Sequence, residues 1–154
     1  MVFEAIIAIF VKYGLFGLFM SSFASSLVFL PAYASFLIPL YVGLHFDPWQ
    51  ILVVLLVGAV LGEIVNYYLG YVGSKYVLHQ HIRKAEKWVN KWGLMSIFIV
   101  NAIPIFPADV VNTLVGFFRM DMKMYVIWMS LGKLLQYTLL IFGIEFFFKY
   151  MSLV

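Results

Sequence analysis

The sequence predicts an all-α integral membrane protein: an inverted repeat of a re-entrant helical hairpin plus a transmembrane helix, with short amphipathic interfacial helices. Hydrophobic residues form 65% of the 154 positions and charged residues 11%, whereas a soluble domain is about half apolar and a quarter charged. The apolar residues form four long segments, two of them interrupted by prolines. A soluble domain of this size could not bury so much apolar surface, which excludes a soluble enzyme and a nucleic-acid-binding module.

Two uninterrupted apolar segments have the length of a transmembrane helix. They run from Trp49 to Tyr71 and from about Met124 to Phe148, and neither contains proline. At a rise of about 1.5 Å per residue each reaches roughly 35 Å, which crosses a hydrocarbon core of about 30 Å with some tilt. We expect both segments to span the membrane.

The segment from Tyr13 to Leu44 is too long for one crossing and too short for two. Its 32 residues would reach about 48 Å as one helix, and two spans with a turn need more than about 40 residues. Pro31 and Pro39 each remove a backbone donor and break a helix. We expect a hairpin that enters the membrane, turns at a tip near Pro31 and leaves by the same side.

The segment from Trp92 to Phe118 carries a cluster that no lipid-facing helix would hold. The cluster comprises Asn101, Pro104, Pro107, Asp109 and Asn112. Irregular backbone at membrane depth is tolerated only where it is buried in protein or lines a wet cavity. We therefore expect a second re-entrant hairpin with its tip at Pro104 to Pro107.

The two halves resemble each other at a constant offset of 70 positions, at which residues 61–69 align with 131–139. We expect a single domain over residues 1–154, with repeat 1 at about 5–76, a linker at about 75–91 and repeat 2 at about 91–149. Since a hairpin adds no net crossing, the second half is inverted relative to the first. Inverted repeats with broken hairpins are typical of transporters whose site lies between the repeats.

The linker is the polar part of the chain and holds half of all basic residues. These are Lys75, Arg83, Lys84, Lys87 and Lys91. The positive-inside rule predicts that the linker faces the cytoplasm, which we expect to be that of a prokaryotic cell. A surface helix at an anionic leaflet and a simple topology anchor are alternative interpretations.

Asp109 is the sharpest functional candidate, because a carboxylate at membrane depth is costly and indicates function by default. A half-helix starting near Ala108 would put Asp109 at its N-terminus, where it could instead cap free N–H groups. Asn112 lies one turn further on, which favours a polar cluster over a lone cap. Asn101 approaches the same tip from the other arm.

Glu63, Asn66 and Tyr67 share one stripe of the second apolar segment. Lys133 holds the position that matches Glu63 in the other repeat, with the opposite charge. A structural Glu63–Lys133 pair and a proton-sensing Glu63 are both open alternatives. The predicted substrate or ion pathway therefore consists of Asp109, Asn112, Asn101, Glu63, Asn66, Tyr67 and Lys133.

Other polar and small residues receive weaker assignments. Arg119 and Lys123 flank Asp121 and are either interfacial anchors or contacts for a lipid phosphate. Five glycines are expected to allow close helix packing: Gly62, Gly70, Gly73, Gly132 and Gly143. His79 and His81 lack further ligands at metal-binding spacing, and no cofactor or catalytic motif occurs, so we expect no metal, no cofactor and no enzymatic activity.

Three motifs resemble the DedA family, the VTT-domain or SNARE-associated Golgi protein superfamily, and its short prokaryotic branch in particular. They are Gly58-x-x-x-Gly62-Glu63-x-x-x-Tyr67-x-x-Gly70-x-x-Gly73, Ile103-Pro104-x-x-Pro107-x-Asp109, and Val115-Gly116-Phe117-Phe118-Arg119-Met120 followed by Leu131-Gly132-Lys133. The resemblance implies two facing re-entrant hairpins. It also implies a lipid transporter, because family members are linked to phospholipid scrambling and polyprenyl-phosphate recycling, often driven by the proton-motive force.

The chain departs from that family pattern at both hairpins. Many bacterial members carry acidic residues around the first hairpin's proline, and the corresponding residues here are apolar or hydroxylic. Many also carry arginine before the second hairpin's proline, where this chain has Asn101. These departures favour passive scrambling or a divergent substrate.

The sequence thus predicts a membrane lipid transporter of the scramblase or flippase kind, with lipids and protons as partners and no nucleic acid. A small ion or solute channel, a proton-coupled cation transporter and a non-transporting scaffold are the alternatives. A homo-oligomer is a further expectation, because two spans and two hairpins are little material to enclose a pathway.

Overall fold

A computed structural model describes residues 2–27, 34–44, 46–76, 93, 95–104 and 108–151. The secondary structure of these residues is helical, with no strand among them. The predicted tips at Pro31 and Pro107 lie outside the described residues, as does the linker from residue 77 onwards.

Six helices occur within the described residues and position the candidate site. They are α1 (Val2–Ser25), α2 (Ile38–Gly43), α3 (Pro48–Gly73), α4 (residues 95–102), α5 (Ala108–Phe117) and α6 (Met122–Met151). Short 3-10 turns at Ala34–Leu37 and Ser74–Tyr76 precede α2 and follow α3.

Helices α3 and α6 confirm that the two uninterrupted segments are long apolar helices. With 26 and 30 residues they reach about 39 and 45 Å, and both are long and apolar enough to cross a membrane. Each begins slightly before the apolar segment because a carboxylate caps it. Asp47 accepts a hydrogen bond from the backbone N–H of Trp49 at 2.8 Å, and Asp121 accepts one from Met124 at 2.8 Å.

Helix α3 presents apolar side chains outward and polar side chains inward. Its exposed stripe consists of Val53, Val57, Leu61, Val65, Leu69 and Val72. Glu63 and Asn66, on the opposite face, are fully buried. This is the reverse of an amphipathic helix on a soluble protein, and it is the arrangement expected of a helix surrounded by lipid.

Helices α1 and α2 form the two arms of the first predicted hairpin. α1 is kinked at Gly14, whose φ of 51° lies in the left-handed region that glycine adopts at little cost. The Tyr41 hydroxyl of α2 donates a hydrogen bond to the carbonyl oxygen of Gly14 at 2.9 Å. The chain therefore returns to the level of the kink after passing the tip.

Helices α4 and α5 form the arms of the second predicted hairpin. The first arm ends at Ile103 and Pro104 because proline lacks the backbone donor and disfavours a helical residue before it. α5 begins at Ala108, as the sequence predicts. Ile97 of α4 and Val115 of α5 belong to one buried apolar cluster, completed by Tyr67, Tyr125 and Met129.

Glycines bring each spanning helix into close contact with the first arm of its own half. A Cβ atom on Gly62 of α3 would lie 2.7 Å from the carbonyl oxygen of Phe23 in α1. A Cβ atom on Gly132 of α6 would lie 2.6 Å from the carbonyl oxygen of Phe98 in α4. Both distances are too short for a real Cβ contact, so only glycine permits this approach.

The second arms pack against the spanning helix of the other half. α2 packs against α6, and α5 packs against α3. At the α3–α5 contact, Gly70 meets the backbone of Thr113 and Gly116 meets the backbone of Tyr67. The two halves are therefore interleaved rather than side by side.

Two of the five glycine assignments are wrong. A Cβ atom on Gly73 or Gly143 would meet no described atom within 4 Å. Both residues lie near the C-terminal ends of their helices, where the described residues form no close crossing. A shared sequence spacing does not require a shared packing role.

Replacing Gly132 by alanine should destabilise the protein, because the added methyl group collides with the backbone of α4 and overpacking costs about 1–3 kcal/mol. Gly143→Ala on the same helix is the matched control, and helix propensity should make it neutral or more stable by up to about 1 kcal/mol. Thermal unfolding of detergent-purified variants measures the difference. Equal melting temperatures for the two variants would contradict the packing described here.

Candidate functional site

The buried centre of the molecule holds an ion pair between the two spanning helices. The ammonium Nζ of Lys133 in α6 lies 3.2 Å from Oε1 of Glu63 in α3. The Glu63 side chain is fully buried and the Lys133 side chain is 10% exposed. The two matching repeat positions are therefore in contact, as one of the two alternatives from the sequence requires.

Asp109 adds a second carboxylate to this pair. It lies in the first turn of α5 and interacts electrostatically with both Glu63 and Lys133. The result is a cluster of two carboxyl groups and one ammonium group, with a formal charge of −1 when all three are ionised. In a low-dielectric surrounding such a net charge is costly.

Asn66 connects the cluster to the C-terminal end of α1 through hydrogen bonds. Its amide Nδ2 donates one hydrogen bond to Oε2 of Glu63 at 3.0 Å and another to the carbonyl oxygen of Ser26. Oε1 of Glu63 faces Lys133 but has no hydrogen-bond partner among the described residues.

Asn101 and Asn112 bind each other across the second hairpin. Each side-chain amide donates to the oxygen of the other at 3.0 Å, and both residues are buried. Nδ2 of Asn101 also donates to the carbonyl oxygen of Ile97 at 2.8 Å. Since each amide group both donates to and accepts from the other, this contact fixes the spacing of α4 and α5.

Tyr67 connects α3 to the exit of the second hairpin. Its hydroxyl donates to the carbonyl oxygen of Met120 at 2.6 Å, and its ring stacks on Tyr125 with centroids 5.5 Å apart. Tyr125 is fully buried, and its hydroxyl donates at 3.5 Å to the backbone carbonyl of Glu63.

A small cavity of about 30 Å³ lies between the ends of the hairpin arms. Its lining includes Ser25, Ser26, Ser35, Ile103, Pro104, Ala108, Asp109, Lys133, Gln136 and Tyr137. A space of this size accommodates one or two water molecules. The predicted polar groove is therefore represented by a narrow polar chamber with a cation and a carboxylate in its wall.

Three contributors to the site went undetected in the sequence. Ser26 and Ser35 belong to an apolar, hydroxylic segment without charge, so nothing singles them out. Tyr125 could have been found, because it lies eight residues before Lys133 and therefore shares its helix face. Tyrosines are so frequent in this chain that the signal was weak.

Arg119 and Lys123 lie away from the polar cluster. Arg119 follows the C-terminus of α5, so about 15 Å of helix separates it from Asp109. Its Nε donates to Oγ of Ser74 at 3.2 Å, and its guanidinium carbon lies 5.1 Å from the centroid of the Tyr71 ring. Lys123 is exposed in the first turn of α6.

Replacing Lys133 by methionine should cost about 3–5 kcal/mol of stability, because it leaves the buried Glu63 and the half-buried Asp109 without a counter-charge. Glu63→Gln should cost clearly less, because Asp109 remains as the counter-charge of Lys133. Thermal unfolding and monodispersity in detergent measure both variants. An equal loss in the two would show that Asp109 does not share the ammonium group.

Comparisons with known proteins identify the family of this chain. The family model for the VTT domain matches residues 30–146. The uncharacterized protein MJ0201 from Methanocaldococcus jannaschii is 28% identical over 134 residues, covering 84% of this chain and 82% of the relative. No solved structure matches the chain. The VTT-domain match covers α2 to α5 and most of α6, and the chain belongs to this family of DedA-type membrane proteins.

Proposed function

We propose that the protein is a membrane lipid transporter in which two re-entrant hairpins meet between the spanning helices and open a polar route for a headgroup. The observation that carries the proposal is the cluster of Glu63, Lys133 and Asp109. It lies at mid-length of α3 and α6, beside the broken ends of both hairpins. Charged groups at membrane depth usually face a substrate or ion route.

The arrangement of the helices supports an inverted repeat. Each first arm contacts its own spanning helix at a matching glycine, Gly62 or Gly132, and each second arm contacts the opposite spanning helix. Such pseudo-symmetric, interleaved halves are typical of transporters that alternate around a central site. In this proposal the basic linker faces the cytoplasm, so Arg119 and Lys123 lie at the cytoplasmic mouth.

The proposed mechanism divides the lipid between two environments. The headgroup exchanges its hydration for the polar side chains between the hairpins, while the acyl chains remain in the bilayer beside the exposed apolar stripe of α3. The chamber of about 30 Å³ is too small for a headgroup, so the hairpin arms must separate during transport. The hydrogen bonds of Asn66 and the Asn101–Asn112 pair hold the closed arrangement.

Asp109→Asn should lower lipid scrambling at least about tenfold, because it removes the charge but keeps a side chain that can cap α5. The assay reconstitutes the protein with fluorescent phospholipids and measures dithionite quenching beyond the outer-leaflet fraction. Asp121→Asn is the matched control, because it makes the same change at the exposed cap of α6.

Full activity of a folded Asp109→Asn would remove this carboxylate from the mechanism. Absence of scrambling by the unmodified protein, repeated with a polyprenyl-phosphate analogue, would refute the lipid-transport proposal.

A second candidate is a pathway for protons or a small monovalent cation. The small size of the chamber and the excess of one carboxylate over the ammonium favour it. A planar-bilayer recording under separate proton, sodium and potassium gradients tests it. This candidate predicts a current that Asp109→Asn abolishes, and it is rejected if no gradient produces a current.

A further inference from the structure

The end of the molecule that carries Arg119 has a feature that the proposed pathway does not use. α5 ends with two hydrogen bonds, from the N–H of Met120 to the carbonyl of Val115 and from the N–H of Arg119 to the carbonyl of Gly116. This pair of hydrogen bonds forms a Schellman cap, in which the residue at the position of Arg119 has a left-handed backbone conformation. Its φ is 54°, and no other described non-glycine residue has a positive φ.

Glycine is the residue that this backbone position favours, because it has no Cβ to clash with the following carbonyl. Arginine is less stable than glycine in this backbone conformation, and the cap would form equally well with glycine. The reason for arginine must therefore lie in its side chain, and a backbone outlier of this kind indicates function.

Two contacts hold the guanidinium in a fixed orientation. Its Nε donates to Oγ of Ser74 at 3.2 Å, and Oγ of Ser74 donates in turn to the carbonyl of Tyr71 at 2.7 Å. The guanidinium lies over the Tyr71 ring at 5.1 Å from the centroid. Ser74 and Tyr71 both lie at the C-terminal end of α3. Their two contacts occupy Nε and one face of the guanidinium group.

The two terminal nitrogens of Arg119 have no hydrogen-bond or carboxylate partner among the described residues. The side chain is exposed, and so are Lys75 and Lys123 at the adjoining ends of α3 and α6. The neighbouring acidic residue, Asp121, uses Oδ1 to cap α6 through the N–H of Met124. The local charge of these four residues is positive.

The chemistry of this surface selects an anionic, tetrahedral ligand. A planar guanidinium with two free NH₂ groups matches two oxygens of a phosphate, and flanking ammonium groups add charge without fixed geometry. Tyr71 lies where a long apolar helix ends, a position at which tyrosine marks the boundary between hydrocarbon and headgroups. A phosphate bound at this depth belongs to a lipid rather than to a soluble molecule.

We propose that Arg119, held by Ser74 and Tyr71 and flanked by Lys75 and Lys123, binds the phosphate of an anionic lipid headgroup at the membrane surface. The role of this site rests on the proposed lipid-transport function, in which the site binds a headgroup before the headgroup enters the pathway. Its existence as a binding site is measured separately from transport.

Arg119→Gly is the decisive variant, because glycine fits the left-handed cap better than arginine and the change removes the whole guanidinium. Binding is measured by microscale thermophoresis in detergent with dioctanoyl phosphatidic acid. The dissociation constant should rise at least about tenfold, as expected for the loss of charge-assisted hydrogen bonds. Arg119→Lys should lose part of the affinity for phosphatidic acid, because it keeps the positive charge but not the planar guanidinium that can bind two phosphate oxygens.

Three comparisons complete the experiment. Lys149→Gln, at the opposite end of α6, should bind phosphatidic acid as the unmodified protein does. Dioctanoyl phosphatidylcholine and inorganic phosphate should both bind the unmodified protein more weakly than phosphatidic acid. Should Arg119→Gly fail to purify as a folded protein, Tyr71→Leu replaces it, and the loss of the ring beneath the guanidinium should weaken phosphatidic acid binding about threefold or more.

Unchanged phosphatidic acid binding by folded Arg119→Gly, or by Tyr71→Leu in its place, would overturn the proposal. Inorganic phosphate binding as tightly as phosphatidic acid would also overturn it, because the site would then serve a soluble anion. Scrambling by the unmodified protein is measured in parallel proteoliposomes. Lost binding without any scrambling would refute the transport function and leave the site standing.

Discussion

The ion pair between Glu63 and Lys133 constrains the rest of this structure. A buried charge without a partner costs several kcal/mol, and here the partners come from different halves of the chain. α3 and α6 must therefore stay adjacent and in register at their midpoints. Asn66 extends the constraint to the first hairpin through Ser26, and Asp109 extends it to the second. The polar cluster thus fixes the positions of α3, α6 and the two predicted hairpins relative to one another.

Close packing supplies the attraction that the hydrophobic effect cannot provide among lipid-surrounded helices. The glycines at positions 58, 62, 70, 116 and 132 allow backbones to touch where α3 crosses α1 and α5 and where α6 crosses α4. These contacts bring the hairpin ends against the charged cluster and leave a chamber sufficient for only one or two waters.

The two polar regions of the molecule differ in the environment they create. The central cluster lies between the helices, with Glu63 fully buried and Lys133 nearly so, beside a small polar chamber. The Arg119 region is exposed at the ends of α3 and α5, and its guanidinium is oriented but only partly satisfied.

Hydropathy, proline positions and the 70-residue repeat were enough to predict two long apolar helices and two broken segments, and to offer the pairing of Glu63 with Lys133 as one of two alternatives. These features follow from local rules: apolar length, missing backbone donors and the cost of a lone buried charge. Packing roles did not follow, because Gly143 has the spacing of a packing glycine and yet its Cβ would meet no described atom within 4 Å. The serine-lined chamber and the contacts of Arg119 with Ser74 and Tyr71 arise between segments distant in sequence, which no local pattern encodes.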